Sequence, residues 1–188
     1  MATVTGVLLQ SWPDEIAHRL SPAATPPDLS LSVLGVVVLA AALAALVDPL
    51  WRVLRLGVTL VHELGHAFVG MLVGRRFTGF VLRGDMSGHA VTVGPPRGIG
   101  RLFTTWAGYP MPGVVALGLV AAASQRYAAP LLTALLVGLL ITVPRVRSLL
   151  TAIVVGLTTA ALGCLWWWGT AAVQAQVLIG IALILLVG

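Results

Sequence analysis

The sequence has no lysine, a single cysteine and little charge of either sign. Only 9% of its 188 residues are Asp, Glu, Lys or Arg, against roughly 25% in an ordinary soluble domain. Hydrophobic residues make up 59%, and the mean hydropathy is +1.02. So few polar side chains cannot cover a globule, which excludes a soluble domain and places the chain in a lipid bilayer. One cysteine, Cys164, excludes both a disulfide framework and a cysteine metal site. Beside Trp166, Trp167 and Trp168 it reads as a small apolar packing residue.

Acids are scarcer still. Asp14, Glu15, Asp28, Asp48, Glu63 and Asp85 are the whole set, and none follows Asp85. The eleven basic residues are all arginine and give a net charge of +5. They are scattered among apolar runs rather than gathered on one solvated face, so they argue for membrane topology and anionic headgroups and against nucleic acid.

Residues 1–30 lack a basic segment followed at once by an apolar core, and prolines stand at Pro22, Pro26 and Pro27. This is not the pattern of a cleavable signal peptide. Val7, Leu8, Trp12, Ile16 and Leu20 are spaced to form one face of a short interfacial helix, with a disordered tail as the alternative. Beyond it, apolar runs of spanning length lie at about 31–47, 56–74, 102–124, 128–143, 149–168 and 171–187. The fold expected is an all-α polytopic membrane protein of about six transmembrane helices, a membrane domain over 31–188 after the N-terminal segment.

Between residues 75 and 101 the chain turns polar and glycine-rich. Phe77 to Arg83 and His89 to Val93 flank Gly84-Asp85-Met86-Ser87-Gly88, the pattern of a β-hairpin at the membrane interface. In the run after it, Gly108-Tyr109-Pro110-Met111-Pro112-Gly113 interrupts helical hydrogen bonding and predicts a kinked or opened helix. If six spans alternate sides, Arg19, Arg75, Arg76, Arg83, Arg97, Arg101, Arg145 and Arg147 share one side, against Arg52, Arg55 and Arg126 on the other. That distribution predicts a cytoplasmic N-terminus and a cytoplasmic hairpin.

The run at 56–74 contains three residues that hydropathy alone would forbid: His62, Glu63 and His66, in His62-Glu63-Leu64-Gly65-His66. Ionisable groups at membrane depth are functional candidates by default. Residues i and i+4 share a helix face, so both imidazoles can reach one ion at about 2.0–2.1 Å. Glu63, turned about 100° from His62, is placed to act as a base toward a water rather than as a ligand. Zinc chemistry on a peptide bond is the reaction this set serves. The bland reading is a hydrogen-bonded polar cluster between helices. Burying two His and a Glu in lipid costs several kcal/mol unless a metal or a polar cavity compensates. Gly65 and Gly70-x-x-x-Gly74 bare one face for close approach, by a helix or by an extended substrate strand.

Val61-His62-Glu63-Leu64-Gly65-His66-Ala67 in a membrane helix, a polar hairpin after it, and Ala107-Gly108-Tyr109 opening the next span together resemble the site-2-protease family of intramembrane zinc metalloproteases. The likeness is to its compact bacterial branch and covers about residues 50–125. It implies that His62 and His66 bind Zn2+, that Glu63 is the catalytic base, and that the hairpin helps receive an unwound segment of a membrane-protein substrate. It also implies an integral protein of a bacterial cell membrane. In that family a carboxylate from a later helix is the third metal ligand, and here no acid follows Asp85. Three explanations stand open. They are a truncated copy with the ligand beyond Gly188, a fold-back of Asp85 or His89 onto the metal, and a catalytically silent membrane scaffold or accessory subunit. A transporter fits poorly, with one Glu at depth and no evident internal repeat.

Overall fold

A computed structural model describes residues 14–188. Helix α1 covers residues 14–20 and includes Ile16 and Leu20 of the expected interfacial face. Val7, Leu8 and Trp12 lie outside the described residues. α2 (Leu31–Leu46) ends where Val47 turns to extended backbone, and α3 (Asp48–Leu72) leaves at 102° to it. Pro49 falls in the first turn of α3, where a missing N–H costs nothing, and Asp48 complements the positive end of the helix dipole.

α3 stops because the chain enters the left-handed region at Gly74, φ 79°. The Gly74 N–H donates to Met71 O at 3.0 Å and the Arg75 N–H to Gly70 O at 2.8 Å, a pair of closing bonds that only glycine permits without strain. Gly74 of the Gly70-x-x-x-Gly74 pair is therefore a helix stop rather than a packing notch.

Strands β1 (Arg76–Leu82) and β2 (Gly88–Val93) form the expected hairpin, antiparallel, with Phe80 opposite Ala90 and Leu82 opposite Gly88. Phe80 and Leu82 point inward onto Leu60, Leu139 and Val155, which fastens the hairpin to three helices. The outer edge of β1 is covered: the Arg147 N–H donates to Phe80 O, and Phe80 bridges Val146 in parallel. At its end, the Leu82 N–H donates to buried Thr151 Oγ1 at 2.7 Å.

The run at 102–124 is broken as predicted. α4 (Ile99–Trp106) and α5 (Met111–Ser124) meet at 64° across residues 107–110. α6 (Ala128–Thr142), a 3-10 turn (Val143–Arg145), α7 (Leu149–Trp168) and α8 (Ala171–Val187) follow. Ser148 and Thr170 cap α7 and α8 by accepting from the Thr151 and Val173 N–H groups. Ala116, Ala123, Ala175 and Ala182 let α5 and α8 approach closely, and Leu119 of α5, Leu178 of α8 and Leu132 of α6 share the same core. Cys164 is exposed on α7, not the packing residue expected.

The expectation of six spans is not confirmed. Among the described residues, two helical segments are long and apolar enough to cross a membrane alone, Ala128–Arg145 and Leu149–Trp168, and up to four if each bent pair is one span. The 102° turn is the reason: α3 does not run back beside α2. The grouping of the arginines by end of the molecule changes with it. The Ala23 N–H donates to Arg126 O, and Gln176 Nε2 donates to Asp28 O. The N-terminal segment thus shares one end of the molecule with the 125–127 turn and the start of α8. Arg126 lies with Arg19, and Arg55 lines a cavity with Met86, Ser87 and Gly88 at the hairpin end.

Two outcomes check this arrangement. In a Cys164→Ala background, Asp28→Cys and Arg126→Cys label with a membrane-impermeant thiol reagent from the same side and Arg97→Cys from the other; labelling of the first two from opposite sides would sink the packing. Thr151→Ala leaves the Leu82 N–H without its buried acceptor and lowers stability by about 1–3 kcal/mol in detergent unfolding, whereas Thr151→Ser retains most of it.

Candidate metal centre

The site starts from two histidines one turn apart. Their Nε2 atoms stand 3.1 Å from each other, with the rings nearly perpendicular at 86°. Two nitrogens bound to one tetrahedral zinc at about 2.0–2.1 Å lie roughly 3.3 Å apart, so the pair converges on the separation that a shared ion requires.

The orientation of His66 comes from outside its own helix. Its Nδ1 lies 2.7 Å from Thr104 O, and since a carbonyl only accepts, Nδ1 carries the proton and Nε2 the lone pair. Thr104 O is available because α4 ends early. The Ala107 N–H goes to Phe103 O and the Tyr109 N–H to Trp106 O, while the Gly108 N–H lies 3.3 Å from the same His66 Nδ1; that nitrogen cannot both donate and accept, and the shorter 2.7 Å contact with Thr104 O sets the tautomer. Gly108 also clears the space in front of the pair. A Cβ there would stand 2.4 Å from His66 Nε2 and 2.6 Å from His62 Nε2. The edge of the His62 ring meets Tyr109.

Glu63 is buried beneath β2. A Cβ on Gly88 would fall 2.6 Å from Glu63 Oε1, so this glycine lets the strand cross directly over the carboxylate, and the Ala90 amide faces it. The edge of β2 away from β1 forms one wall of a cavity of about 450 Å³ that contains His62, Glu63 and His66. Arg75 holds this wall in place: its Nε donates to Thr92 Oγ1, Nη2 to Thr92 O and Nη1 to Pro95 O. Gly65 lies against Met111, joining the motif to the start of α5, a helix contact rather than an open face for substrate.

The two fold-back candidates part company. His89 is exposed and lines the cavity. Asp85 sits at the hairpin tip, where its carboxylate accepts from the Ser87 N–H at 3.0 Å and Ser87 Oγ at 2.6 Å. Those bonds, with Arg83 nearby, hold its carboxyl below the usual carboxylate range. Among the described residues no group of three His, Cys, Asp or Glu is arranged to hold a metal. Neither candidate therefore completes the pair. The end of α8 reaches the same region, with Gly188 lining a cavity beside Thr59, His62 and Glu63.

A model of the family described as Peptidase M50B-like matches residues 35–188. The chain belongs to that family. The match takes in the motif helix, the hairpin, the broken span and the last three helices, and it agrees with the site-2-protease resemblance of the motif. No curated protein and no solved structure matches this M50B-like chain.

The sequence pointed to His62, Glu63 and His66 but not to Thr104, Gly108, Arg75 or Arg101. The break at Ala107-Gly108-Tyr109-Pro110 was a signal for the first two, since an early helix end leaves carbonyls without partners. Which carbonyl meets His66 depends on how α4 packs on α3. Gly108→Ala in this peptidase-family chain pushes both imidazoles apart and weakens zinc binding by about 10–100-fold, read by metal titration with helicity unchanged in circular dichroism. Full zinc affinity in that variant would contradict the cradle described here.

Proposed function

We propose that this protein is a zinc-dependent intramembrane peptidase that hydrolyses a peptide bond in a membrane-embedded or membrane-proximal segment of another protein. The observation that carries the reading is the convergence of two Nε2 atoms at 3.1 Å, one ring oriented by Thr104 O, in a cavity walled by a strand edge. His62 and His66 would hold the ion, and the family is generally zinc-dependent. Bound zinc supplies Lewis acidity to a water and to the scissile carbonyl.

Glu63 takes the proton that the attacking water loses and passes it to the departing amide nitrogen. Its burial under Gly88 keeps bulk water from competing for it. The free edge of β2 offers backbone groups alongside Glu63, so a substrate helix would unwind and lie there as an added strand. An extended segment is also what a peptidase requires, because helical hydrogen bonds shield the carbonyl that must react.

At the hairpin end stand Arg55, Arg75, Arg76, Arg83, Arg97, Arg101, Arg145 and Arg147, against Arg19 and Arg126 at the other, with Arg52 near the start of α3 counted to neither. The positive-inside rule then sets the hairpin and the catalytic cavity on the cytoplasmic side of a bacterial cell membrane, with the N-terminal segment on the opposite side. On this reading the hairpin lies on the side expected from the sequence and the N-terminal segment on the other.

A second reading has its own support. Among the described residues only two histidine donors converge, which suits a catalytically silent scaffold or accessory subunit. Metal content and activity separate the two. Under the peptidase reading the purified protein carries stoichiometric zinc, and Glu63→Gln lowers cleavage of a membrane substrate by about a thousandfold while zinc content and folding stay as in the wild type. Absence of stoichiometric zinc from the wild-type protein would overturn it.

A further inference from the structure

The cavity that holds His62, Glu63 and His66 is also lined by two arginines, Arg75 and Arg101. Among the described residues Glu63 is the only acid in its lining. Among the described residues the sole ion pair is Glu15 with Arg19, at the opposite end of the molecule, so neither arginine is neutralised by a carboxylate. Arg75 spends its donors on Thr92 and Pro95 and serves as a clasp. Arg101 is exposed, and its Nη1 donates to Pro96 O at 2.7 Å, which leaves the charge and the other guanidinium nitrogens for a ligand.

A cationic wall in a cavity bordered by apolar protein concentrates anions and repels cations. Arg101 stands on α4 across from the β2 edge. A segment laid on that edge would therefore run between the strand and Arg101. We infer that Arg101 is a specificity-determining residue that selects substrate segments carrying an Asp or Glu beside the bond to be cut. This rests on the peptidase reading for its substrate and on the cavity alone for its charge. Anionic lipid headgroups are the ordinary counterions for arginines outside the cavity, such as Arg97. A headgroup at Arg101 would have to enter the space occupied by the reacting peptide.

The test uses the full chain, zinc-loaded, in nanodiscs of neutral phosphatidylcholine. Peptides share one apolar segment and differ by Asp, Asn or Arg at single positions on either side of the cleaved bond. The Asp peptide is expected to show a KM about tenfold below that of the Asn peptide, a gap that narrows with added salt. Arg101→Glu reverses the ranking in favour of the Arg peptide, and Arg97→Glu preserves the wild-type order. An unchanged ranking in Arg101→Glu overturns the inference.

Binding of the same labelled peptides to Glu63→Gln, read by fluorescence anisotropy, needs no turnover. If the wild type cuts nothing but this variant still prefers the Asp peptide in an Arg101-dependent way, the peptidase reading fails and the charge selection stands. If cleavage proceeds without regard to charge, the reverse holds. If Arg101→Glu changes only binding to nanodiscs containing phosphatidylglycerol, Arg101 belongs to the lipid and the inference is overturned.

Discussion

Two imidazoles and a carboxylate in an otherwise apolar helix must each find a partner inside the protein, because lipid offers none. Much of the architecture around α3 follows from that constraint. His66 finds its partner in Thr104 O, which is available only because α4 breaks at Ala107. Glu63 is covered by β2, which can come so near only because position 88 is glycine. The hairpin is therefore more than a surface appendage. Phe80 and Leu82 anchor its underside in the helix core, and its upper edge closes the polar cavity.

The same constraint accounts for the two bent pairs. A straight α4–α5 helix would use the Thr104 carbonyl for its own ladder and would bring no backbone acceptor to His66. A straight return of α3 along α2 would carry the motif away from the hairpin's edge. The bends at 102° and 64° instead lay the motif helix across α5 and under β2, so that irregular backbone occurs where it is buried in protein or lines a cavity. Membership of the Peptidase M50B-like family over residues 35–188 is consistent with this arrangement being inherited as a unit.

Charge follows a separate logic. With one ion pair among the described residues, the arginines do not stabilise the fold by pairing. Several instead donate to backbone carbonyls: Arg75 to Thr92 and Pro95, Arg101 to Pro96, and Arg147 to Thr78. A guanidinium satisfied by neutral acceptors keeps its charge for the outside, whether headgroup or peptide. The hairpin end is consequently both rigid and strongly cationic.

Much of this was legible in the residues. Composition alone placed the chain in a membrane, since nothing in it could face water over a globule's surface. The i, i+4 histidines, the polar hairpin and the Gly-Tyr-Pro break were all readable because each depends on spacing within a few residues of one another. α7 and α8 fall where the apolar runs predicted them. What tertiary structure alone decided were relations between distant segments. These include which carbonyl orients His66, that Asp85 stays at the tip while His89 lines the cavity, that Arg126 shares an end with Arg19, and that Arg101 lines the cavity around His62, Glu63 and His66. Local patterns carry periodicity and helix stops. The angle at which α3 leaves α2 is set by packing against four other helices, and with it the side on which each later charge emerges.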